Sequence, residues 1–425
     1  MQQATINTNT SIVVVRGGRR LSGHVSTSGA KNAALPILIG TLLSDEDSWI
    51  SNVPQLDDVL TTLDLLTTLG KKVTVNGTVI MVSSGSTPGT TAPYELVKKM
   101  RASVLVMGPL LARWHQAKVP LPGGCAIGSR PIDLHLSGIE KLGGKVSLER
   151  GYVKLESQEL IGNRISLDYP SVGATENLMM AASLACGTTV IENTAMEPEI
   201  CDLGNCLSGM GAQITGLGSR IIKITGVEKL HGVHHDVIPD RIETGTLLLG
   251  CAVAGGEVTV EKTRPEFLGA TLTNLRKAGV HVQIGNDSIS VSNDGRPLPT
   301  DVETAPYPGF STDMQPQWMA LESTGTGVSV VVETIFESRF MHAGELQRMG
   351  ANIKIRGRNA IVRGVEKLSG APVAAPDLRA AAALILAGLA ADGETEISGV
   401  QHLDRGYEHL VEKLHSLGAD IRRSK

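Results

Sequence analysis

Cys125 is set where a reactive thiol belongs. It lies in Leu121-Pro122-Gly123-Gly124-Cys125-Ala126-Ile127-Gly128-Ser129-Arg130-Pro131. Prolines there fix φ, and glycines open conformations closed to other residues. The segment reads as an irregular surface loop that presents an acid or nucleophile beside the Arg130 cation. The other cysteines contrast with it. Cys186 closes the apolar run that starts at Met179, and Cys251 lies within Leu247 to Ala254, so both read as core positions. Cys201 and Cys206 fall in an expected helix from Glu199 to Met210, five residues apart and therefore not stacked on one face. No Cys-x-x-Cys, no His-Glu-x-x-His and no other cluster of metal spacing is present, and His234-His235 reads as loop. No metal is expected. Five scattered cysteines fit a reducing compartment better than a disulfide framework.

A second kind of chemistry is carried by cations. Lys31, Arg101 and Arg379 stand at expected helix starts, in Ala30-Lys31-Asn32, Arg101-Ala102-Ser103 and Leu378-Arg379-Ala380. Arg130, Arg339 and Arg405 each precede another helix by a similar interval. Helix N-termini offer free N–H groups and the positive end of the macrodipole. If such ends converge on one cleft, Lys31, Arg101, Arg130, Arg379 and Arg405 make it a site for phosphate or carboxylate. Ser28-Gly29-Ala30-Lys31-Asn32 lacks the Gly-x-x-x-x-Gly-Lys-Ser/Thr frame, and no Gly-x-Gly-x-x-Gly follows a strand. ATP hydrolysis and nicotinamide chemistry are therefore disfavoured.

The elements that position these residues repeat. An apolar residue, a glycine, two further residues and a β-branched residue recur as in Leu69-Gly70-Lys71-Lys72-Val73 and Met349-Gly350-Ala351-Asn352-Ile353. The glycines fall at 70, 143, 211, 279, 350 and 418, so neighbouring units are 68 to 73 residues apart. Each unit reads as an apolar helix of about 15 residues, a β segment, a loop, an amphipathic helix capped by the glycine, and one or two strands. Units this large suit two closed groups of three better than an open solenoid. The irregular stretches Ser26 to Gly29 and His234 to Asp240 are the expected boundaries. They give one domain over 26–238 and a second over 1–25 plus 239–425. The leading strand Ile12 to Val15 then has to join the second group, and the two crossings suit a hinge.

Composition narrows the function classes. The 425 residues exceed what one core usually spans. A net charge of −4 carries no polyanion signature, and the basic pairs Arg19-Arg20, Lys71-Lys72 and Arg422-Arg423 read as solvated surface. Nucleic acid is not an expected partner. Met1 to Thr10 lacks the apolar stretch of a signal peptide, and Ala380 to Ala391 is too short to span a bilayer. A cytoplasmic protein with no membrane partner is expected. Aromatic residues make up 3% and glycines number 48, which points to an aliphatic core with many tight turns.

A larger set of motifs resembles the enolpyruvyl transferases, and within them the members that act on UDP-N-acetylglucosamine. These are Ser28-Gly29-Ala30-Lys31-Asn32-Ala33, Met100-Arg101-Ala102-Ser103, the Pro122 to Gly128 loop and Arg130-Pro131-Ile132-Asp133-Leu134-His135. Further along come Ser171-Val172-Gly173-Ala174-Thr175, Thr312-Asp313-Met314-Gln315, Asp377-Leu378-Arg379 and Asp404-Arg405-Gly406-Tyr407-Glu408. The resemblance runs from about Ile12 to Ile421. It implies an α/β fold of two inside-out barrels, each of three βαβαββ repeats with pseudo-threefold symmetry, joined by a two-stranded hinge.

The resemblance also implies the reaction. The enolpyruvyl group of phosphoenolpyruvate passes to the 3′-hydroxyl of UDP-N-acetylglucosamine with loss of phosphate, the first committed step of peptidoglycan synthesis, and no cofactor takes part. Cys125 then matches the loop acid, open to alkylation by fosfomycin, and Asp313 the base by the sugar hydroxyl. Lys31, Arg130 and Arg405 match residues around phosphoenolpyruvate, with Arg101 nearby, and Asn32 faces the sugar. Asp377 and Arg379 lie near the reacting centre. Ser171, Val172 and Gly173 hold the diphosphate. Pro131, Asp133 and Leu134 surround the uracil, while Ile335 and Glu337 frame the sugar. Tyr169-Pro170 departs from the pattern, because some members carry a lysine and an aliphatic residue there. Two alternatives stand beside this reading: a 3-phosphoshikimate 1-carboxyvinyltransferase, and a non-catalytic protein that binds UDP-N-acetylglucosamine. The retained Cys125, Asp313 and arginines favour an enzyme, and the oligomeric state is open.

Overall fold

The computed structural model describes residues 12–85, 89–121 and 132–424, with the side chain of Arg101 excepted. All six repeat glycines close a helix with positive φ, between 84° and 104°. A side chain there would be strained, which is why one residue type recurs at this place. The helices that precede them are short and amphipathic, as at Asp57–Thr68 and Pro198–Gly209.

The first helices of the units are shorter than the expected 15 residues. Lys31–Gly40, Met107–Trp114, Val172–Ala182, Arg241–Ala254, Gln315–Ser323 and Leu378–Ala390 run from 8 to 14. Nearly every residue in them is buried, so tertiary packing and not length stabilises them. The three from the second half pack on one another in pairs. The run Ala380 to Ala383 keeps side chains small enough for that approach.

Among the described residues seven sheets surround these helices, and in all but the two-stranded pair Leu368–Ser369 with Ala391–Asp392 one plan repeats. One strand enters parallel and two more follow antiparallel, as in the order His234–Asp236, Ser48–Ser51, Val79–Ser84, Lys71–Asn76. In the unit around Gln116–Pro120 the parallel strand is reduced to a bridge between Thr91 and Lys118. The last sheet takes its central strand from the start of the chain. Ile12–Arg16 lies antiparallel to both Glu394–Ser398 and Asp420–Ser424.

Buried apolar residues fall into two cores. One is built from residues between Ala30 and Val237, the other from Val13 to Val25 together with Ile242 to Ile421. The chain crosses between them twice, and the crossings lie side by side: the Ala30 N–H donates to the Ile238 carbonyl at 2.7 Å and the Asp240 N–H to Ser28 at 2.9 Å. Gly29 is required there, because a Cβ would stand 1.7 Å from the Asn52 carbonyl oxygen.

Three sequence expectations fail locally. His234–Asp236 is strand and not loop; His234 stacks on Trp49 at 4.4 Å, and His235 Nε2 meets Asp202 Oδ1 at 2.9 Å. Polar residues make this strand because its neighbour Ser48–Ser51 supplies the pairing. Cys186 is exposed, since it lies past the end of Val172–Ala182, where the chain turns toward the surface. Lys71 is buried and not solvated. Its amine donates to the Ser44 carbonyl, and burial lowers its pKa to about 8.

Candidate active site

A cleft of about 720 Å³ opens between the two cores. Nine of the site residues expected from sequence line it: Asn32, Asp133, Leu134, Ser171, Val172 and Gly173 from one side, and Asp313, Ile335 and Glu337 from the other. Helix starts bring most of them there. Asn32 is the second residue of Lys31–Gly40, and Asp133 opens Asp133–Lys141. Ser171 caps Val172–Ala182 by accepting from the Ala174 N–H at 3.3 Å. The remaining N–H groups of that first turn are available to an anion.

Asp313 lies in a tight turn ahead of Gln315–Ser323, with Ser311 and not Asp313 as the cap. Its carboxylate is held from both sides. Oδ1 accepts from Arg339 Nη2 and Oδ2 from Arg379 Nη2, each at 2.9 Å. Both arginines are buried, whereas the Asp313 side chain retains 25% exposure. Arg379 also lies over the Tyr407 ring at 5.1 Å. Burial opposes its charge, but Asp313 and Tyr407 outweigh that and raise its pKa. Asp377 caps the helix that carries Arg379, accepting from the Arg379 N–H at 2.8 Å and the Ala380 N–H at 3.1 Å.

A second carboxylate joins two expected cations. Asp58 accepts from Lys31 Nζ at 3.2 Å and from Arg405 Nε at 2.9 Å. Lys31 and Asp58 belong to the first core and Arg405 to the second, so this contact spans the cleft. Burial lowers the pKa of Lys31; Asp58 counteracts, Arg379 adds to the lowering, and Asp313 opposes it. The amine is thus within electrostatic reach of the Asp313 clamp. Lys31, Arg379 and Arg405 are not among the residues that line the cleft.

Cys125, Arg130 and Pro131 lie outside the described residues. The backbone of Arg101 opens the turn Arg101–Val106, and its side chain is likewise outside the description.

Several residues of the site escaped the sequence reading. Asp58 stands in the first turn of the amphipathic helix Asp57–Thr68 and belongs to no distinctive motif. Arg339 did carry a signal, its place relative to the repeat glycine. The cleft floor also holds Glu176, Glu197, Glu199 and Arg241. Arg241 Nε pairs with Glu199 Oε1 at 3.0 Å and lies 5.6 Å from the Tyr307 ring centre. Burial, with Glu199 and Glu197 beside it, holds the Glu176 carboxyl well above its ordinary pKa. Tyr169 lines the cleft with 43% exposure. Among the described residues no group of three or more His, Cys, Asp or Glu is placed to hold a metal ion, and no helix is long and apolar enough to cross a membrane.

Cations at helix starts, a carboxylate clamped among them and an inter-core cleft define a class of enzyme that handles small anions. Comparison with known proteins narrows that class. Residues 15–414 match the sequence profile of EPSP synthase (3-phosphoshikimate 1-carboxyvinyltransferase). The UDP-N-acetylglucosamine 1-carboxyvinyltransferase of Halorhodospira halophila (strain DSM 244 / SL1) is 52% identical over 412 residues, which is 97% of this chain and 99% of the relative. Among solved structures, the enolpyruvyl transferase NikO from Streptomyces tendae matches with a TM-score of 0.89 and 26% identity, over 98% of this chain and 99% of that one. EPSP synthase from Acinetobacter baumannii shares the fold, with a TM-score of 0.77 and 16% identity over 98% of this chain and 100% of that one. The chain belongs to the EPSP synthase family and is an enolpyruvyl (1-carboxyvinyl) transferase with the α/β fold of that family.

Proposed function

We propose that this enzyme transfers the enolpyruvyl group of phosphoenolpyruvate to the 3′-hydroxyl of UDP-N-acetylglucosamine and releases phosphate. The observation that carries this reading is the shared cleft, in which the Ser171 helix start faces Asp313, Ile335 and Glu337. A diphosphate at the first and a sugar hydroxyl at the second fit a nucleotide sugar. The 52% identity to an enzyme of that name supports the same acceptor.

The chemistry divides into addition and elimination. The hydroxyl oxygen attacks C2 of phosphoenolpyruvate as its proton passes to Asp313, and C3 takes a proton from Cys125. A tetrahedral ketal results. C3 then returns a proton to the Cys125 thiolate, the double bond reforms, and the bond from C2 to the phosphate oxygen breaks with its electron pair on the departing phosphate, which takes the proton held by Asp313. Lys31, Arg130 and Arg405 hold the phosphate and carboxylate and offset the charge that develops on the leaving group. Arg101 supports them, and Asn32 orients the sugar. Pro131, Asp133 and Leu134 enclose the uracil. The clamp on Asp313 fixes the carboxylate geometry but draws electron density from it. Proton transfer to it is therefore helped when substrate anions compete for Arg379 and Arg339.

The finer fold belongs to the same proposal: two inside-out barrels of three units each, with boundaries at 26–238 and at 1–25 plus 239–425. The two cores and the paired crossings at Ser28–Ala30 and Ile238–Asp240 support it. A cytoplasmic place, a role in cell-wall synthesis, cell shape and division, and alkylation of Cys125 by fosfomycin complete the reading.

The test is phosphate release from phosphoenolpyruvate, with UDP-N-acetylglucosamine, with shikimate 3-phosphate or with neither, run beside Cys125→Ala. Release that needs the nucleotide sugar and collapses in the variant is expected. Release with shikimate 3-phosphate alone overturns the acceptor. Full release in the variant removes Cys125 as the acid, and no release with any acceptor favours a non-catalytic binding protein.

A further inference from the structure

A second cavity, of about 430 Å³, lies between the cores, and the residues that line it are distinct from those of the cleft. Its two walls differ in kind. The first core contributes an apolar wall that includes Val59, Leu63 and Ile80, and with them Leu60 and Val75, each 55% exposed. The second core contributes Asp404, His409, Glu412 and Arg423 around the buried Tyr407.

The repeat explains why these walls meet. Five residues past the repeat glycine, four units carry an exposed apolar side chain: Val75, Leu148, Ile284 and Ile355, at 55, 64, 51 and 41%. In the last unit that position is Arg423. The cavity therefore lies between equivalent faces of two units, one apolar and one charged.

Its charge is negative. Both Nη atoms of Arg423 are engaged by Asp404, one of them at 3.0 Å. Among the described residues Asp57 and Glu412 form no ion pair, and both border the cavity. Burial above all, with smaller contributions from Asp404 and Asp58 and with Arg405 opposing, holds the Asp57 carboxyl above its ordinary pKa.

We propose that this inter-core groove binds a small organic cation, an apolar ring body that carries an amine. The ring covers Leu60 and Val75, which stand exposed without it, and the ammonium meets Asp57 and Glu412. A cavity of this size suits a ligand of one or two rings. Such an occupant touches Asp57, next to the Asp58 bridge, and Tyr407, whose ring carries Arg379. It is thereby placed to act on the cleft without entering it.

The test is isothermal titration of the full chain with tryptamine, repeated with indole-3-propionate, which has the same ring body and the opposite charge. Saturable tryptamine binding that survives saturating UDP-N-acetylglucosamine is expected, with the anion about tenfold weaker. Leu60→Arg should weaken tryptamine by about tenfold and Glu412→Gln by about threefold. Val75→Arg replaces Leu60→Arg if that variant does not fold. Absence of binding, equal affinity for the two probes, displacement by the nucleotide sugar, or indifference to both arginine variants each overturns the proposal. The readout needs no turnover, so the fate of the acceptor assignment and that of the groove are decided separately.

Discussion

Asp313 and Asp58 each hold two cations, yet they do different work. Asp313 and its arginines belong to one core, so the clamp keeps its geometry whatever the angle between the cores. Asp58 takes Lys31 from its own core and Arg405 from the other, so its contacts require the cores to be close. On the proposed function the first arrangement positions the reacting carboxylate, and the second, which ties one core to the other, couples anion binding to closure of the cleft.

The sharpest way to break this contrast is Asp313→Asn, which keeps the shape and removes the proposed base. We expect kcat to fall by about 10³- to 10⁴-fold with the unfolding midpoint little changed, measured by phosphate release and by calorimetry. Arg379→Gln leaves the carboxylate with one guanidinium, and a loss of about 10²-fold in kcat is expected, against a smaller rise in KM. A loss confined to KM would show that Arg379 only binds. Asp58→Asn should act the other way, with KM for phosphoenolpyruvate raised about tenfold and kcat less affected. Small-angle scattering should find that variant more open.

The smallest effect lies in pH. The Lys31 amine is held below its usual pKa of 10.5 by burial, so the affinity for phosphoenolpyruvate should decline on an alkaline limb that begins below that value. Stability has the opposite sign. In that window the unfolded lysine binds a proton that the native one lacks, so unfolding free energy rises with pH, by at most about 1.4 kcal/mol per unit. Lys31→Arg should move the affinity limb upward. If the limb stays in place, another group owns it.

The fold was legible where one physical need recurs. Each unit must end a helix with a left-handed residue, and the six glycines announced it. Even the placement of Ile12 to Val15 followed, because the sixth unit lacked a strand. Local context defeated the rest. His234 and His235 are strand because Trp49 and Ile50 lie beside them, 185 residues earlier in the chain. Lys71 is buried by contacts with Ser44, which no property of a Lys-Lys pair reveals. Nine residues carried by distinctive motifs line the cleft, whereas Asp58 and Glu199, carried by ordinary helix patterns, gave no signal in the sequence. Arg339 lies between these cases: its repeat position was visible, but its partner Asp313 became apparent only when distant segments came together.

The strand Ile12–Arg16 is made early, whereas Glu394–Ser398 and Asp420–Ser424, its partners on both edges, are made late. During synthesis on the ribosome its unpaired edges therefore remain a sticky surface until the chain has grown to Ser424, while the first core, closed by Val237, is free to form long before. The order of translation thus makes the second core the slow partner and the one that most needs protection from neighbouring chains.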